Sequence, residues 1–334
     1  MKRFAFLLSV VCLFTTLNLN AETCTPTGFF RDGINLTAAQ INPTTVTGTL
    51  VTGCNIGVYL DGVDATIDAA DISGANYFGV VVNGDVGSPS ASITNSNIHD
   101  IGEVPLDGTQ HGVGIYFRSF SLTGSASGTI SNDTFTNYQK GGIVANGQGV
   151  NVAITDNVVK GQGPVTYIAQ NGIQVGYGAS ASVMRNTVTG NAYSGTNNAS
   201  SGGVLVVGGP GYGTCPDGSL CPYTVNTRVI QNTATGNDVG VWLSNADANF
   251  APPASATNIK VVNNVLSDAL VTNISGCSPG TYQAGVSDEG NNDKIVTNSI
   301  SGFGYANNNN LGCGTFSIDT TVTARAKVHA NTTP

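Results

Sequence analysis

The feature of this sequence that most constrains its fold is an eight-residue pattern that recurs eight times. Each copy has an apolar residue, a second apolar residue five positions later, and Gly, Asn or Asp two positions after that. The apolar pairs are Ile67/Ile72, Ile93/Ile98, Ile130/Phe135, Ile154/Val159, Val183/Val188, Val229/Ala234, Val261/Leu266 and Ile295/Ile300, and a weaker ninth copy starts at Ile41. Such repetition predicts stacked units, because one short unit cannot bury its apolar face alone.

The fourth position of the pattern is Asn in five of the eight copies and Asp in a sixth. It is occupied by Asp133, Asn157, Asn186, Asn232, Asn264 and Asn298. Stacked Asn side chains hydrogen-bond to one another along the stacking axis. A turn with positive φ also favours Asn, but only such a ladder requires successive copies to lie in register. The repeat therefore predicts that each copy belongs to one coil of a parallel β-helix.

A second strand is predicted between the copies of the pattern. It opens with Gly and continues with Val, Ile and other apolar residues, as in Gly114 to Phe117, which is typical of short strands. The residue after the Gly is expected to point inward and the next one outward. The predicted outward residues are Tyr59, Val81, Tyr116, Val144, Gln174, Leu205, Trp242 and Ser287.

On these repeats and Asn positions, residues 41–302 resemble the right-handed parallel β-helix family, the pectin-lyase-like fold. The resemblance implies an all-β solenoid of about eight to ten coils, and neighbouring copies as little as 24 residues apart leave room for three short strands and three turns. It also implies an outer strand face that binds acidic glycans in the enzymes of the family, although a fold does not fix an activity. We expect an N-terminal cap at 22–40 and a C-terminal cap and tail at 303–334.

The N-terminus has the organisation of a secretory signal peptide. Two basic residues, Lys2 and Arg3, precede an apolar run that ends near Leu17 and is followed by Ala21. The run is too short to span a bilayer. We expect cleavage after Ala21, which removes residues 1–21 and leaves a secreted or periplasmic protein with no membrane span.

An even number of cysteines in an exported chain indicates disulfide bonds. Six remain after removal of the signal, and they allow fifteen pairings. Because a solenoid is quasi-linear, neighbours along the chain are favoured: Cys24–Cys54, Cys215–Cys221 and Cys277–Cys313. Metal binding is the alternative, but the spacing lacks paired Cys-x-x-Cys motifs.

Composition restricts the class of partner. Charged residues make up 10% of the chain, against roughly 25% in average proteins, and the net charge is −8. The sequence contains no basic run, which argues against nucleic acid as a partner. We expect a monomer without a resident metal or other cofactor. The sequence leaves a calcium requirement open, although it contains no calcium-binding motif.

Long loops flank the row of outward residues and predict a groove. Four precede the Gly-led strand and two follow it; they are residues 101–111, 162–171, 191–202, 269–284, 208–226 and 244–257. Because coils stack, the loops meet around one face, with Tyr116, Gln174 and Trp242 on its floor and Tyr167 in a wall. Aromatic side chains with convergent polar groups suit a linear polysaccharide. The alternative is that these side chains only cover the sheet.

Three residues at one edge of this predicted groove are candidates for catalysis. Asp107 and His111 supply a carboxylate and an imidazole for acid–base chemistry, and Arg118 suits the carboxylate of a uronate. The alternative is an ordinary polar loop. Enzymes of the resembled family carry an Asp-Asp pair with Arg-x-Lys, or clustered Asp for calcium. This chain has no Asp-Asp pair, and its one Arg-x-Lys, at 325–327, lies beyond the last predicted coil.

Two classes of function remain. The first is an exported protein that binds a uronate-containing extracellular polysaccharide, and that processes it as a lyase, epimerase or glycoside hydrolase if it is an enzyme. The second is a non-catalytic β-helix such as an adhesin or a surface scaffold. The uneven loops and outward aromatic residues favour the first class, and the missing catalytic motifs favour the second.

Overall fold

Each copy of the eight-residue pattern forms two short strands around one turn. The computed structural model describes residues 23–197, 199–272, 283–308 and 314–334. In one copy, Ile154 and Val159 lie on the strands that flank the turn, and both side chains are fully buried. Asp156 takes a positive φ of 61° in that turn, which reverses the chain so that both apolar residues face the same interior.

The described residues are almost entirely strands and turns. In chain order the strands are β1 (Thr25–Arg31), β2 (Ile34–Ile41), β3 (Thr45–Val51), β4 (Ile56–Asp61), β5 (Ala65–Ser73), β6 (Phe78–Asn83), β7 (Ser90–Thr94), β8 (Asn97–Ile101), β9 (Val113–Arg118), β10 (Ala126–Ser131), β11 (Thr134–Tyr138), β12 (Gly141–Asn146), β13 (Val150–Thr155), β14 (Val158–Val165), β15 (Asn171–Gly176), β16 (Ser180–Met184), β17 (Thr187–Tyr193), β18 (Gly202–Gly208), β19 (Arg228–Ile230), β20 (Thr233–Thr235), β21 (Val239–Asn245), β22 (Lys260–Val262), β23 (Val265–Ser267), β24 (Gln283–Asp288), β25 (Lys294–Val296), β26 (Ser299–Ser301), β27 (Thr315–Asp319) and β28 (Lys327–His329). Two short 3-10 helices lie at Pro210–Tyr212 and Phe303–Tyr305.

The strands form two long sheets, and the predicted right-handed parallel β-helix is confirmed. One sheet has 11 strands in the order β1-β2-β4-β6-β9-β12-β15-β18-β21-β24-β27, and all its neighbours except β1 and β2 run parallel. The other sheet has 17 strands and contains the strands of the eight-residue pattern. We call them the 11-stranded and the 17-stranded sheet. Among the described residues, no helix is long and apolar enough to cross a membrane.

The core lies between the two sheets and is built from stacked apolar rows. One such row is in register on seven successive strands: Ile93, Ile130, Ile154, Val183, Val229, Val261 and Ile295. All seven side chains are fully buried. Burial of apolar surface at every coil therefore holds the stack together.

The predicted Asn ladder is confirmed. The Asn157 amide donates to the Asn186 Oδ1 atom at 2.9 Å, and Asn186 donates to the next residue of the ladder, Asn232, at 2.9 Å. The same side chains also donate to strand carbonyls, as Asn186 does to the Ile154 oxygen at 2.9 Å. The ladder continues to Asn331, which accepts the amide of Asn298 at 2.9 Å.

Paired strands continue beyond residue 302, where the sequence placed the end of the stack. Strand β27 pairs with β24, and β28 pairs with β25. The segment 303–334 thus adds strands to both sheets, in addition to any capping role. Val328 and Asn331 occupy the first and fourth positions of the repeat, but the second apolar residue is missing, so the pattern is incomplete there.

The N-terminal end of the 11-stranded sheet is covered by a hairpin. Strands β1 and β2 pair antiparallel, and the Cys24–Cys54 disulfide ties the start of β1 to the first coil. The Cys215–Cys221 disulfide closes a loop of the stack. Two of the three predicted pairings are therefore confirmed. The third, Cys277–Cys313, and the signal peptide at 1–21 lie outside the described residues.

Candidate functional site

The predicted outward row exists on the 11-stranded sheet. Strand pairing places its members in direct register, in the order Tyr59, Val81, Tyr116, Val144, Gln174, Leu205, Trp242 and Ser287. Their neighbours along each strand, such as Ile115 and Phe117, are fully buried in the core. The alternation follows from the two-residue period of a strand.

A cavity of about 840 Å³ lies over the first half of this row. Tyr116, Val144 and Gln174 form part of its lining. Its other lining side chains come from the β1–β2 hairpin, from the strands β4, β6, β9 and β12 and residues close to their ends, from Tyr177 after β15, and from the loop that contains Cys215 and Cys221. The floor is therefore made by stacked strands, while segments distant in sequence make the walls.

The hairpin forms one wall of the cavity. The Phe29 ring stacks on the rings of Tyr59 and Phe78, with centroids 6.2 and 6.0 Å apart. At the hairpin turn, Arg31 donates a hydrogen bond to the carbonyl oxygen of Gln110. The hairpin thus covers the first members of the row. Tyr116 and Val144 are still buried, and Gln174 is the first member that is partly exposed.

The disulfide loop forms the opposite wall. Cys215 and Cys221 pack with Phe120 and Tyr177 in a small apolar cluster. Nearer the start of the loop, the Tyr212 hydroxyl lies 2.5 Å from the Ser244 Oγ atom. Burial raises the pKa of Tyr212 to about 12, so this ring lines the cavity as a neutral phenol.

Arg118 lies at the end of β9 and joins the two walls. Its guanidinium is 4.7 Å from the centre of the Phe29 ring and 5.6 Å from that of Phe120. It forms an ion pair of 2.6 Å with Asp85 and donates to the side chain of Asn83. Stacking and pairing fix its orientation, which suits a planar donor for a carboxylate.

Lys140 supplies a further cation to the cavity lining, in addition to Arg31 and Arg118. Its ammonium donates to the carbonyl oxygen of Ala169 at 2.8 Å, and among the described residues no carboxylate pairs with it. Desolvation lowers the pKa of Lys140 to about 8. Part of the Lys140 population is therefore a neutral amine near neutral pH, able to accept a proton.

The structure does not bring the three predicted catalytic residues together. His111 precedes β9, and Arg118 ends it; five steps along this strand span about 17 Å. The His111 Nε2 atom lies 2.7 Å from Glu103, and its ring stacks on Tyr77 at 3.8 Å. These contacts hold the imidazole in a packed corner beside the hairpin.

Asp107 lies in the same corner as His111 and is held by local hydrogen bonds. Thr109 donates to the Asp107 carboxylate through its backbone amide and its hydroxyl, at 2.9 and 2.5 Å. These bonds lower the pKa of Asp107. The loop contacts account for the positions of Asp107 and His111, while Arg118 alone of the three lines the cavity.

Of the four predicted binding residues, Tyr116 and Gln174 line the cavity, and Tyr167 and Trp242 do not. Tyr167 donates its hydroxyl to Gln162 within its own loop. The Trp242 indole donates to Glu289 at 3.1 Å, further along the row. Burial raises the pKa of Glu289, which also accepts a bond from Ser244. The floor is thus shorter than the sequence predicted.

Several cavity residues were missed by sequence reasoning. Phe29 belongs to the segment predicted as a cap, and Tyr177 lies in a turn with φ of 56°. Lys140 follows the repeat ending at Asn137 by three positions, and no local signal marks it. Only the folding of the hairpin and the disulfide loop over the sheet assembles these groups.

The arrangement combines three chemistries in one space: ring faces, amides and three cations, Arg31, Arg118 and Lys140. The carboxylates in the lining are already engaged, because Asp61 accepts from Asn83 at 2.7 Å and Asp85 pairs with Arg118. Within the described residues, no group of three or more His, Cys, Asp or Glu side chains is placed to hold a metal ion. The cavity is therefore suited to a ligand with hydroxyl groups, apolar ring faces and negative charge.

Comparisons with known proteins concern the fold. No curated protein matches the sequence. A mutant of DFA-IIIase from Arthrobacter chlorophenolicus A6, solved in complex with DFA-III, is similar with 13% identity and a TM-score of 0.39, over 74% of this chain and 48% of its own. A double mutant of the periplasmic alginate epimerase AlgG is similar with 14% identity and a TM-score of 0.40, over 83% of this chain and 62% of its own.

The chain therefore spans less than two thirds of the length of either solved protein. A match to a family is the stronger finding. The profile of the right-handed β-helix region covers residues 32–209, which is more than half of the 334 residues. It extends from the hairpin turn to the end of β18 and includes most of the cavity floor. The chain belongs to the right-handed β-helix family.

Proposed function

We propose that this protein binds a uronate-containing extracellular polysaccharide in the cavity on its 11-stranded sheet. The observation that carries the proposal is the joint presence of tyrosine rings, Arg118 and Lys140 around one cavity. Together with Arg31, these two basic residues bring three of the 12 Lys and Arg residues of the chain to this one aromatic surface.

The size of the cavity supports a ligand of several sugar rings. Its volume of about 840 Å³ is near the upper end of the range of ligand pockets, roughly 300–1,000 Å³. Tyr116 offers a ring to the apolar face of a sugar, and Gln174 and Asn146 offer amides to its hydroxyl groups. Arg118 and Lys140 lie toward opposite ends of neighbouring strands and offer donors to the carboxylates of different sugars.

An extracellular or periplasmic location is part of the proposal. The predicted signal peptide directs export, and disulfides persist in oxidising compartments. The two disulfides attach both walls of the cavity, since Cys24–Cys54 holds the hairpin and Cys215–Cys221 closes the loop. Reducing conditions would therefore act on the binding surface itself.

Lys140 is the residue that would serve processing of the bound glycan. A neutral amine accepts the proton from the carbon next to a uronate carboxylate, which is the first step of a lyase or an epimerase. Lys140 immediately precedes β12 and Arg118 ends the neighbouring strand β9, about 17 Å further along, so Arg118 would pair with the carboxylate of another sugar of the same glycan. If the protein binds the glycan but does not process it, it belongs to the second class of function, a non-catalytic adhesin or surface scaffold.

Retention on an affinity gel tests the binding proposal. Wild-type protein should be retained on immobilised polygalacturonate more strongly than on a neutral glucan. Gln174→Ala should weaken the affinity about tenfold, because a buried polar contact contributes roughly 1–2 kcal/mol. Leu205→Ala is the matched control, since Leu205 lies next to Gln174 in the row but does not line the cavity. If Gln174→Ala and Leu205→Ala lost the same affinity for polygalacturonate, the cavity would be rejected as the binding site.

Incubation with soluble polygalacturonate tests turnover. If Lys140 is the base, wild-type protein generates unsaturated or epimerised products, and Lys140→Gln abolishes them while retaining affinity within about threefold. The rate should rise with pH through about 8, as Lys140 loses its proton. Retention without products from the wild-type protein would assign a binding protein.

A further inference from the structure

Four strands of the 17-stranded sheet open with a basic residue at the same position. Arg228, Lys260, Lys294 and Lys327 begin β19, β22, β25 and β28. Pairing places each directly opposite the next. All four are exposed, so their side chains form a single outward row, which we call the basic row.

The basic row is a concentration of charge that the stability of the fold does not explain. The whole chain has 12 Lys and Arg residues, and four of them stand in this row. Among the described residues, none of the four forms an ion pair with a carboxylate. Like charges directly opposite each other on neighbouring strands destabilise a sheet. A ligand of opposite charge would remove that repulsion.

The row continues into a shallow hollow of about 430 Å³. On the strands before β19, the same register holds Thr129, Ala153 and Ser182 in place of the basic residues. These small side chains line the hollow together with Asn226 and Arg228. A charged line thus leads into a recess with hydroxyl and amide groups.

The distance between neighbouring basic residues can be compared with the distance between charges in different linear ligands. Neighbouring strands are about 4.8 Å apart, so the four charges lie on a line of roughly 14 Å along the stack. One strand of duplex DNA carries a phosphate every 3.4 Å of axis, and an extended peptide presents side chains on one face every 6.6 Å or so. A polyuronate carries one carboxylate per sugar ring, and the length of a ring is close to the strand spacing.

Amide groups run beside the basic row at the same period. Asn226, Asn258 and Asn292 lie two residues before Arg228, Lys260 and Lys294 in the sequence. Asn226 and Asn258 are exposed, and Asn292 donates to Asn258 at 2.7 Å. Amides next to cations match sugar hydroxyls next to carboxylates.

We propose that the basic row and the adjoining hollow are a second binding surface, which takes a linear carboxylated polysaccharide lying along the axis of the β-helix. The surface is on the 17-stranded sheet, whereas the cavity is on the 11-stranded sheet. The proposal therefore does not depend on the function of the cavity.

A second copy of the chain is the competing occupant of the basic row. Asp68, Asp71 and Asp100 lie near the N-terminal end of the same sheet. These carboxylates already accept hydrogen bonds within the chain. Asp68 accepts from Asn95 at 2.8 Å, Asp71 accepts from Asn97 at 2.8 Å, and Asp100 accepts from Asn137. These bonds leave the negative charge of the carboxylates in place, so the experiment has to distinguish the two occupants.

Charge reversal in the full-length mature protein tests the proposal. Lys294→Glu changes the centre of the row, and Lys160→Glu makes the same change of charge at an exposed lysine of the same sheet outside the row. With polygalacturonate fragments at low salt, Lys294→Glu should weaken binding about tenfold and reduce its salt sensitivity, and Lys160→Glu should stay within about twofold. Thermal unfolding of Lys294→Glu should be unchanged or shifted upward, because repulsion within the row is relieved.

The same measurements in a Gln174→Ala background separate the two surfaces. Lys294→Glu should weaken binding there as well, even if Gln174→Ala has no effect and the cavity proposal fails. Equal behaviour of Lys294→Glu and Lys160→Glu would overturn the basic row as a site. Duplex DNA bound as tightly as polygalacturonate would overturn the assignment of the ligand. Salt-sensitive dimers that Lys294→Glu dissociates, without polysaccharide binding, would assign the row to a second copy.

Discussion

Asn186 connects three successive coils through one side chain. Its Oδ1 atom accepts bonds from the backbone and the side chain of Asn157, at 3.0 and 2.9 Å. Its amide donates to Asn232 and to the carbonyl oxygen of Ile154. A buried amide that is fully hydrogen-bonded specifies register, since a shifted coil would leave these groups without partners. The repeat made this predictable, because five of the eight copies carry Asn at this position.

Buried carboxyls are the residues that the repeat did not reveal. Asp238 is fully buried and accepts bonds from the backbone of Tyr193 and Ser201, both near 2.9 Å. Desolvation raises the pKa of Asp238 to about 8, and desolvation together with the neighbouring Asp288 raises the pKa of Asp293 to about 8. Burial is a tertiary property, so the sequence could not distinguish these residues from exposed aspartates.

These raised pKa values predict that the protein is more stable in mild acid than in mild alkali. An unfolded Asp has a pKa near 3.9, so the folded state holds more protons between about pH 4 and pH 8. The free energy of unfolding therefore falls as pH rises through that window, by at most about 1.4 kcal/mol per pH unit for one group. Carboxyls with a lowered pKa, such as Asp107, change the free energy of unfolding only below about pH 4, outside this window.

Thermal unfolding at pH 5 and pH 8 checks this prediction. Asp238→Asn should reduce the difference between the two melting temperatures, because the amide retains an acceptor for the two backbone bonds and does not titrate. Asp64→Asn, at an exposed position, should leave the difference unchanged. A wild-type protein that is more stable at pH 8 than at pH 5 would contradict the prediction.

The β1–β2 hairpin is the element that turns a flat sheet face into a cavity. Its Phe29 ring packs on the sheet, and Arg31 reaches the loop before β9. The sequence predicted a cap at 22–40 but not its position over the outward row. Hairpin packing depends on contacts between residues far apart in the chain, and no periodic signal encodes them.

Removal of the Cys24–Cys54 disulfide should release this hairpin while the stack persists. The bond closes a separation of 30 residues, and Cys215–Cys221 closes one of 6. The entropy of loop closure predicts that the double variant Cys24→Ser/Cys54→Ser loses about 1.4 kcal/mol more stability than Cys215→Ser/Cys221→Ser. Denaturant unfolding measures the difference. Retained strand content with increased proteolysis near residue 31 is expected for the first variant, and equal costs for both variants would contradict the prediction.

The whole molecule is a stack whose two ends differ. At the N-terminal end, β2 is covered by β1 and tied by a disulfide. At the other end, all three residues of β28 are exposed. In a solenoid each coil contacts only its neighbours, so stability at an end depends on a single interface.

Hydrogen exchange should therefore be fastest at the C-terminal end of the described stack. Backbone amides in 315–329 should exchange at least tenfold faster than those in 171–207, which have coils on both sides. Amides of β2 should exchange at an intermediate rate. Mass spectrometry of peptic fragments measures these rates, and equal protection of 315–329 and 171–207 would contradict the expectation.

The sequence by itself determined the coil, its inward residues, the Asn ladder and two disulfides, because each depends on a local pattern repeated along the chain. Only the tertiary structure decided the cavity and the basic row. Arg228, Lys260, Lys294 and Lys327 are 32 to 34 residues apart, and no local run marks them as neighbours. Stacking reduces each of those separations to one strand spacing. The proposed binding surfaces are formed by residues from successive coils. They therefore extend along the stacking axis, at right angles to the strands.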